Sequence, residues 1–353
     1  MVKSYGIYCN HNFYFLFYFV ILIMVMNMYV LKRIFGMSFK QMFSKINEIS
    51  KKTKKSKIFI FFDMALCAVK YQAGYMDYCL FEMYNLNNSQ RKTIMTRGKN
   101  NYLIKKYNDK RYIHIFENKD EFLERFKDYV KRDFLFLNDN LNEFKSFCKK
   151  HSKFIAKPRD GSCGKGIEII KINGNVNEIY KYLLEKKLVV VEELIIQDKE
   201  IDKINPSCIN TFRIVSINKN NEVGIVAAYF RIGGGHNFVD NFNSDGMVVP
   251  IEISTGSIKY NALDKNGNLY KFHPNTNYPL VGFVIPKWNE IKELVKKLAQ
   301  VVPEVGMVGW DIALSNKGPV VVEANDFPGH DIYQLPPHRT NGIGVLPQFT
   351  KYF

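Results

Sequence analysis

The sequence predicts an α+β protein with largely antiparallel sheets, and three observations support this prediction. Beyond Phe154, short β-rich runs alternate with Gly, Asn, Asp and Pro, as is typical of strands joined by tight turns. Residues 117–130 and 288–301 carry apolar side chains at helical spacing. Of the 353 residues, 46% are hydrophobic and 24% are charged, so the chain is globular and can bury a large core.

Residues 1–31 form a separate region of the chain that contains a hydrophobic segment. Residues 13–31 are 19 positions long, and Asn27 is the only strongly polar side chain among them. A helix that spans a bilayer needs about 17–25 such residues. Two basic residues follow at 32–33, so the positive-inside tendency predicts a cytoplasmic protein attached to the inner face of the membrane by residues 13–31. Alternatively, translation starts further on, and most or all of the segment is absent. The candidate start residues are Met26, Met28 and Met37.

Residues 32–104 predict a small region that is helical, basic and aromatic. Apolar residues recur at helical spacing in 37–56, and lysines fill much of the opposite face. We expect a basic amphipathic helix that rests on protein or on a membrane surface. The aromatic residues of 58–104 are expected to form a core.

The net charge of +16 comes from 50 Lys and Arg against 34 Asp and Glu. Such an excess can indicate nucleic acid, anionic lipid or phosphorylated substrates. The chain is also rich in Asn, Ile, Tyr and Phe, so a general compositional bias explains most of the charge. No RNA- or DNA-binding motif occurs, and we expect no nucleic-acid partner. The six cysteines form no CxxC pair, which argues against a zinc ribbon or a disulfide framework.

A glycine-rich segment, residues 154–171, reads FIAKPRDGSCGKGIEIIK and lies between two β runs. Three glycines within six residues allow close approach of the backbone, and successive amides in such a loop form an anion cradle. The spacing fits neither a P-loop, which leads into a helix, nor the GxGxxG dinucleotide pattern. We expect a strand–loop–strand phosphate flap, with Lys157 directed at the same phosphates. An ordinary flexible hairpin is the alternative. The candidate cradle residues are Gly161, Ser162, Gly164 and Gly166.

Residues 309–325, GWDIALSNKGPVVVEAN, predict a β-hairpin. A three-residue hairpin loop prefers a glycine in the left-handed conformation at its end, and Gly318 has that position. Such a loop pairs Ser315 with Pro319. A two-residue turn is the alternative, and it would shift the register by one residue.

The register with the three-residue loop predicts a metal site. It sets Asp311 directly opposite Glu323, and Asn325 lies two residues further on the same face. Two facing carboxylates destabilise a sheet unless a cation lies between them. Because the ligands are all oxygens, with no His or Cys, we expect a hard cation, Mg²⁺ or Mn²⁺.

Together these segments resemble the ATP-grasp superfamily, and in particular the sugar-transfer-associated ATP-grasp family. The resemblance covers residues 70–350 or so and rests on the order of the pieces rather than on any single one. The motifs that carry it are EELIIQ at 192–197, INPSCINTFRIVSI at 204–217, RIGGG at 231–235, VDN at 239–241, GWDIAL at 309–314 and EANDFPGHD at 323–331. It implies that residues 105–353 form an ATP-grasp fold, in which two α+β subdomains clamp ATP. The flap and hinge would lie in 105–197 and the metal ligands in 198–353.

The resemblance also implies which residues bind ATP. Lys157 would bind the α- and β-phosphates, and Lys110 resembles a second, earlier nucleotide lysine. Glu192 or Glu193 would begin the hinge whose backbone reads adenine, and Asp198 or Glu200 resembles the ribose ligand. The residues expected at the nucleotide, besides the flap glycines and Ser162, are Lys110, Lys157, Glu192, Glu193, Leu194, Ile195, Glu200 and Asn210.

Metal and catalytic roles follow from the same resemblance. Asp311, Glu323 and Asn325 would hold the Mg²⁺ that bridges the β- and γ-phosphates. Arg213 and Arg231 would stabilise charge on the transferred phosphoryl group.

Two departures from the family pattern stand out. Many ATP-grasp ligases have an arginine two residues before the first metal aspartate, where this chain has Gly309. Either Arg213 or Arg231 would then have to supply that charge, or the chemistry differs. The expected Rossmann-like substrate domain is missing as well, because residues 32–104 are too few and too aromatic to form one. Substrate identity therefore stays open.

Three functions remain for this pattern. The leading hypothesis is a ligase that joins a carboxylate to an amine through an acylphosphate, with small-molecule or glycan-linked substrates in cell-surface polysaccharide modification. A kinase that phosphorylates a hydroxyl would use the same ATP site. A third hypothesis is a nucleotide-binding partner of a glycosyltransferase complex that does not turn over. His330 and His338 lie close to the hairpin in sequence and would touch substrate or be structural.

Overall fold

The computed structural model describes residues 36–138, 140–160, 166–234, 242 and 246–353. The chain divides into two units, residues 1–100 with 342–344 and residues 101–341 with 345–353. The predicted hydrophobic helix within residues 1–31 lies outside the described residues, and so do residues 161–165 of the predicted flap.

The first unit is helical. Its elements are α1 (Phe39–Thr53), α2 (Lys57–Tyr71), α3 (Tyr75–Leu80), a 3₁₀ turn (Met83–Asn85) and α4 (Asn88–Lys92). Helix α5 (Arg97–Tyr107) contains the division between the units.

Helix α1 confirms the amphipathic helix predicted over 37–56. Ser38 caps its N-terminus by accepting a hydrogen bond from the Gln41 amide, and Lys54 ends it with a left-handed φ of 61°. Its buried face packs against α2. The side chains in that contact are Met42, Ile46 and Ile49 from α1 and Ile60, Met64 and Cys67 from α2. The aromatic core is also confirmed, since Tyr71, Tyr78, Phe81 and Tyr84 are all buried.

The single helix predicted over 117–130 is wrong, although its apolar face is right. The segment forms three short helices: α6 (His114–Glu117), α7 (Lys119–Arg125) and α8 (Lys127–Val130). The chain leaves the helical conformation at Asn118 and again at Phe126. The second break lets the Phe126 ring pack against Phe122 at 4.7 Å and Trp310 at 5.6 Å between ring centroids.

The second unit contains two antiparallel sheets. The smaller sheet has the order β1–β4–β2–β3. Its strands are β1 (Phe134–Phe136), β2 (Lys153–Lys157), β3 (Glu168–Lys171) and β4 (Val190–Glu193). Helices α9 (Leu141–Lys150) and α10 (Val176–Glu185) bury their apolar faces against it.

The larger sheet has seven strands in the order β11–β10–β5–β6–β7–β8–β9. The strands are β5 (Thr211–Lys219), β6 (Glu222–Ile232), β7 (Met247–Pro250), β8 (Ala262–Asp264), β9 (Leu269–Tyr270), β10 (Met307–Ser315) and β11 (Gly318–Asn325). Helix α12 (Trp288–Val301), which was predicted with the same bounds, packs on one face of it. The remaining helical elements are α11 (Lys199–Asp202), α13 (Leu346–Phe349) and the 3₁₀ turns Pro336–His338 and Thr350–Tyr352.

The alternation of side chains gives the larger sheet an apolar face and a polar face. Phe212, Trp310 and Phe230 point into the core against α12. The residues next to them in each strand therefore point to the opposite face. The predicted fold class is confirmed, since helices combine with two antiparallel sheets.

Candidate functional site

The predicted opposition of Asp311 and Glu323 is confirmed, but it arises differently from the prediction. Near the turn, Ser315 pairs with Gly318 rather than with Pro319, so the register there is one residue off. A β-bulge between Asp311 and Ile312 then shifts the register back, and Asp311 pairs with Glu323. The three-residue loop is therefore wrong and the two-residue alternative is right at the turn, although Gly318 does have a positive φ of +99°.

A row of polar side chains crosses four adjacent strands on the face away from the core. Asp311 pairs with Glu323 of β11 on one side and with Arg213 of β5 on the other. Arg213 in turn pairs with Tyr229 of β6. Arg231 lies two residues beyond Tyr229 and so shares this face. We call Glu323, Asp311, Arg213, Tyr229 and Arg231 the polar row.

Asp311 is held by both arginines of the polar row. Arg213 donates Nε and Nη2 hydrogen bonds to the two carboxylate oxygens, the second at 2.7 Å. Arg231 donates from Nη1 to Oδ2 at 2.9 Å. Asp311 is only 1% exposed. Burial alone would raise its pKa, but the two guanidinium groups outweigh burial and hold the pKa of Asp311 well below its usual range.

The pKa of Glu323 is shifted upward, in the opposite direction to that of Asp311. Glu323 is exposed by its accessible area, but its carboxyl group lies beside Asp311; desolvation, followed by repulsion from Asp311, raises the pKa of Glu323 to about 7. Asp311 and Glu323 are directly paired residues of neighbouring strands, so their carboxyl groups repel each other when both are ionised. Asn325 is half-buried at the end of β11, two residues from Glu323.

The donor set fits a hard divalent cation. Two facing carboxyl groups offer oxygens only, and Asn325 adds an amide oxygen on the same face. The oxygens of Asp311 that accept from arginines retain further lone pairs. A bound cation would remove the repulsion from Asp311 that raises the pKa of Glu323.

The packing of this sheet explains why residue 309 is a glycine. A Cβ atom added there would meet Pro328 Cβ at 3.0 Å and Arg213 Cδ at 3.3 Å. Arg213 thus occupies the space beside position 309 and brings its guanidinium to Asp311 from the neighbouring strand. This arrangement accounts for the absence of an arginine at 309.

Lys157 lies at the end of β2 and makes an ion pair with a buried glutamate of the neighbouring strand. Its Nζ is 2.6 Å from Glu192 Oε1, and Arg132 donates to Oε2 of the same carboxylate at 2.6 Å. Burial alone would raise its pKa, yet Arg132 and Lys157 lower the pKa of Glu192 to about 2. The Glu192 side chain is therefore committed to these two cations. The expected adenine hinge, which Glu192 or Glu193 would begin through its backbone, stays a prediction, and the Glu192 side chain itself orients Lys157.

Lys119, at the start of α7, was missed by the sequence analysis. Its ammonium group donates to the Arg159 carbonyl at 3.3 Å, at the stem of the flap. Desolvation, followed by repulsion from Lys157, lowers the pKa of Lys119, and Glu323 and Glu192 act in the opposite direction. Lys119 is thus within electrostatic reach of the lysine of the smaller sheet and of the carboxylate of the larger one.

The flap can be described only at its ends. Lys157 and Arg159 lie on its first side, and Arg159 makes a 2.9 Å ion pair with Asp120 of α7. On the second side, Gly166 has a φ of +73°, which favours glycine. Gly161, Ser162 and Gly164 lie outside the described residues, so their part in an anion cradle stays a prediction.

The expected adenine hinge connects the two sheets. After β4 ends at Glu193, Asp198 N donates to the Leu314 carbonyl of β10. The amides of Leu194 and Ile195 donate to no backbone carbonyl within the described part of the chain. Glu193 accepts from the Asp133 amide and pairs with Lys317. Hinge residues also line a shallow cleft that is open to solvent. None of the polar row lines it, so it is not the phosphate end of the site.

Three other expected residues lie elsewhere or have other contacts. Lys110 is exposed beside Asp109, whose amide bonds to the Glu304 carbonyl, and among the described contacts none links Lys110 to the polar row or to Lys157. Asn210 is fully buried and uses its amide group in hydrogen bonds to protein groups, including Gln197 Oε1 at 3.0 Å. We therefore revise both assignments. Glu200 pairs with Lys203 at 2.7 Å near the hinge, and its role at ribose stays a prediction.

The alternative ribose ligand, Asp198, is occupied as the N-cap of α11, where it accepts from the Glu200 amide. Of the two histidines, His338 is buried with Nε2 at 3.0 Å from the Asn261 carbonyl, which supports a structural role. Tyr333 was not anticipated. Its ring lies 5.4 Å from that of Tyr229, and burial raises its pKa beside the polar row.

Comparison with known proteins decides the family. The profile described as "Sugar-transfer associated ATP-grasp" matches residues 98–350, most of the chain. The chain belongs to the sugar-transfer associated ATP-grasp family. No curated protein matches the sequence.

Solved structures similar to this ATP-grasp protein include three ligases. D-alanyl-alanine synthetase A from Vibrio cholerae is 13% identical, with a TM-score of 0.42 over 67% of this chain and 64% of that one. The ATP-grasp ligase PsnB with its minimal precursor is 14% identical, with a TM-score of 0.42 over 70% and 62%. D-alanine-D-alanine ligase from Helicobacter pylori is 16% identical, with a TM-score of 0.40 over 68% and 61%. The chain spans less than two thirds of each of these structures.

The membrane prediction has no counterpart in the described residues of this ATP-grasp protein. Among them, no helix combines the length and the apolar composition needed to cross a bilayer. Attachment through residues 13–31 stays a prediction, because that segment lies outside the described part.

Proposed function

We propose that the protein is an ATP- and Mg²⁺-dependent ligase that joins a carboxylate to an amine through an acylphosphate. The observation that carries this proposal is the polar row. It combines facing carboxyl groups, Asp311 and Glu323, with two arginines on one face of the larger sheet. Lys119 is within electrostatic reach of Glu323 and Lys157, which supports one site for a polyphosphate.

The residues that would hold Mg²⁺ are Asp311, Glu323 and Asn325. When bound, Mg²⁺ would neutralise charge on the β- and γ-phosphates and orient them. Of the three, Glu323 is the side chain whose pKa would change most, because a cation would remove the repulsion from Asp311 that raises it. Asp311 has a second function, since it holds Arg213 and Arg231 in position.

We assign the basic side chains of the site to different phosphates of ATP. Lys157, oriented by Glu192, and Lys119 bind non-transferred phosphates, which supports the expected role of the flap. Arg213 and Arg231 stabilise charge that develops on the γ-phosphoryl group during transfer. The amides of Leu194 and Ile195 read the adenine edge. The side chains therefore position groups and neutralise charge, as is general in phosphoryl transfer.

The reaction proceeds in two steps that balance. A substrate carboxylate oxygen attacks the γ-phosphorus of ATP, the bond between that phosphorus and the β,γ-bridging oxygen breaks, and ADP and an acylphosphate form. An amine then attacks the acyl carbon, the bond from that carbon to the phosphate oxygen breaks, and the amide and inorganic phosphate leave. The amine loses one proton. The sugar-transfer association of the family supports substrates among cell-surface glycans or their precursors.

An isotope experiment tests this proposal. The protein is incubated with ATP, Mg²⁺, ¹⁸O-carboxylate donors such as uronic and amino acids, and amines that include amino sugars. We expect ADP, an amide, and one ¹⁸O atom in the released phosphate. A phosphate ester without free phosphate would indicate a kinase instead. Tight ATP binding without turnover for any acceptor would favour the non-catalytic hypothesis.

A further inference from the structure

Helix α2 has an apolar surface on the side that faces away from its core contacts. Ile60, Met64 and Cys67 are its buried residues, yet Ile58 is 71% exposed and Phe59 is 55% exposed. Phe62 and Leu66 are exposed on the same side. A helix that is apolar around most of its circumference is normally buried in protein or in a membrane. We call Ile58, Phe59, Phe62 and Leu66 the α2 apolar face.

The apolar surface extends from α2 onto α1. Phe43 of α1 stacks on Phe61 of α2, with 6.3 Å between ring centroids. Phe39 and Phe43 lie one turn apart in α1 and are each about half exposed. The surface is therefore shared by two packed helices, which is more than scattered single side chains would give.

Three lysines that form no ion pair with the described residues border this surface. Lys54 and Lys57 precede the α2 apolar face, and Lys70 follows it. Lys45 and Lys52 pair with glutamates, but none of the ion pairs among the described residues involves Lys54, Lys57 or Lys70. The acid within α2, Asp63, is committed to Arg91.

We propose that the α2 apolar face docks on an anionic lipid surface. Exposed aromatic and branched side chains would enter the headgroup–acyl boundary, and the bordering lysines would contact lipid phosphates. Charge complementarity selects this occupant, because residues 36–75 contain eight lysines and two acids. The predicted membrane segment ends at residue 31, and the eight residues from there to Phe39 reach at most about 29 Å. The docking does not depend on the proposed catalytic activity.

Two other occupants of this surface are distinguishable by experiment. Residues 13–31 of the same chain could cover it without lipid, and so could a second copy of the protein. In both cases the face would be protected in the absence of vesicles, and lysines would have little effect.

The experiment uses the full chain and vesicles that carry a diazirine on the lipid acyl chain. Vesicles of phosphatidylcholine alone are compared with vesicles that also contain phosphatidylglycerol, and mass spectrometry locates the labelled residues. We expect labelling of the α2 apolar face in the anionic vesicles. Leu269 and Phe272, which are similarly exposed in the second unit, serve as internal controls and should stay unlabelled.

A charge-reversal variant tests the lysines. In Lys54→Glu/Lys57→Glu, labelling of the α2 apolar face should fall. Each lysine lost should weaken binding to the anionic vesicles by about fivefold. The matched control, Lys171→Glu/Lys181→Glu, changes the net charge equally at exposed positions of the second unit and should label like wild type. Circular dichroism checks that both variants fold.

Any of three results would overturn the proposal. The first is labelling of the α2 apolar face no stronger than that of Leu269. The second is equal labelling in neutral and anionic vesicles. The third is protection of the face from a water-soluble carbene reagent before vesicles are added, which would assign the surface to residues 13–31 or to a second copy.

Discussion

Arg132 and Glu192 form a buried ion pair with 2.6 Å between Nη2 and Oε2, and this pair joins the two sheets. Glu192 lies on β4 of the smaller sheet and also binds Lys157. Arg132 donates to the Val321 carbonyl at 2.8 Å and the Val322 carbonyl at 3.3 Å, beside the β-bulge in the larger sheet. A continuous set of contacts thus connects the flap lysine to the strand that carries Glu323.

Replacement of Arg132 should affect both sheets at once. Arg132→Ala leaves a buried carboxylate with one cation fewer and frees the carbonyls at the bulge, so we expect the free energy of unfolding to fall by about 3–5 kcal/mol. Denaturant unfolding measures this loss. Arg125→Ala, an exposed arginine on α7, is the matched control and should change stability by less than about 0.5 kcal/mol. Equal stability of the two variants would contradict the assigned role.

Glu323 should make stability depend on pH in the absence of metal. Its pKa is raised from 4.5 to about 7 in the folded state, so the folded protein binds more protons than the unfolded chain between these values. The stabilisation is complete below pH 4.5 and is lost as the pH rises through 7. Glu323→Gln should remove this decline, as measured by thermal unfolding in EDTA. An identical pH profile in wild type and variant would show that the two carboxyl groups do not interact.

Replacement of Lys119 and of Lys110 tests which of the two lysines binds ATP. Lys119→Ala should weaken ATP binding by about 10- to 100-fold, which corresponds to one charge-assisted hydrogen bond. Lys110→Ala should leave ATP affinity unchanged, because Lys110 is exposed beside Asp109. Isothermal titration with a non-hydrolysable ATP analogue measures both. The reverse order of effects would restore the original assignment of Lys110.

Gly309 should tolerate no side chain. In Gly309→Ala the new Cβ would press on Pro328 and Arg213 and displace the guanidinium from Asp311. We expect slower ATP turnover with little change in ATP affinity. Gly174→Ala is the control, because nothing lies within 4 Å of an added Cβ there. Wild-type turnover in Gly309→Ala would mean that Arg213 needs no defined position.

The sequence predicted the fold class, the helix from Trp288 to Val301 and the opposition of Asp311 and Glu323. These features follow from periodicity and from pairing within one hairpin, which are local. The bulge was not predictable, because the extra residue that it leaves unpaired in β11 has no sequence signature in this chain. The actual turn is one residue shorter than the predicted loop, and the bulge compensates for this difference.

Long-range contacts were the least accessible to sequence reasoning. Lys119 contacts the stem of the flap because α7 packs beside it, whereas the sequence analysis had proposed Lys110. Glu192 was expected to begin a backbone hinge at adenine, and the contacts of its side chain with Arg132 and Lys157 were not predicted. Asn210 stands in a family motif, yet its buried amide stabilises the backbone near Gly233. Partners that are distant in sequence decide each of these roles.

The central claim is that Asp311, Glu323 and Asn325 hold a divalent cation at the nucleotide phosphates. Asp311→Asn is a poor test, because it would leave Arg213 and Arg231 buried without their carboxylate and lower stability. The most direct measurement is therefore electron paramagnetic resonance of Mn²⁺ in the presence of ADP, with wild type, Glu323→Gln and Asn325→Leu. We predict that each variant weakens Mn²⁺ binding at least about tenfold and keeps the wild-type fold. Wild-type Mn²⁺ affinity in both variants would contradict the account.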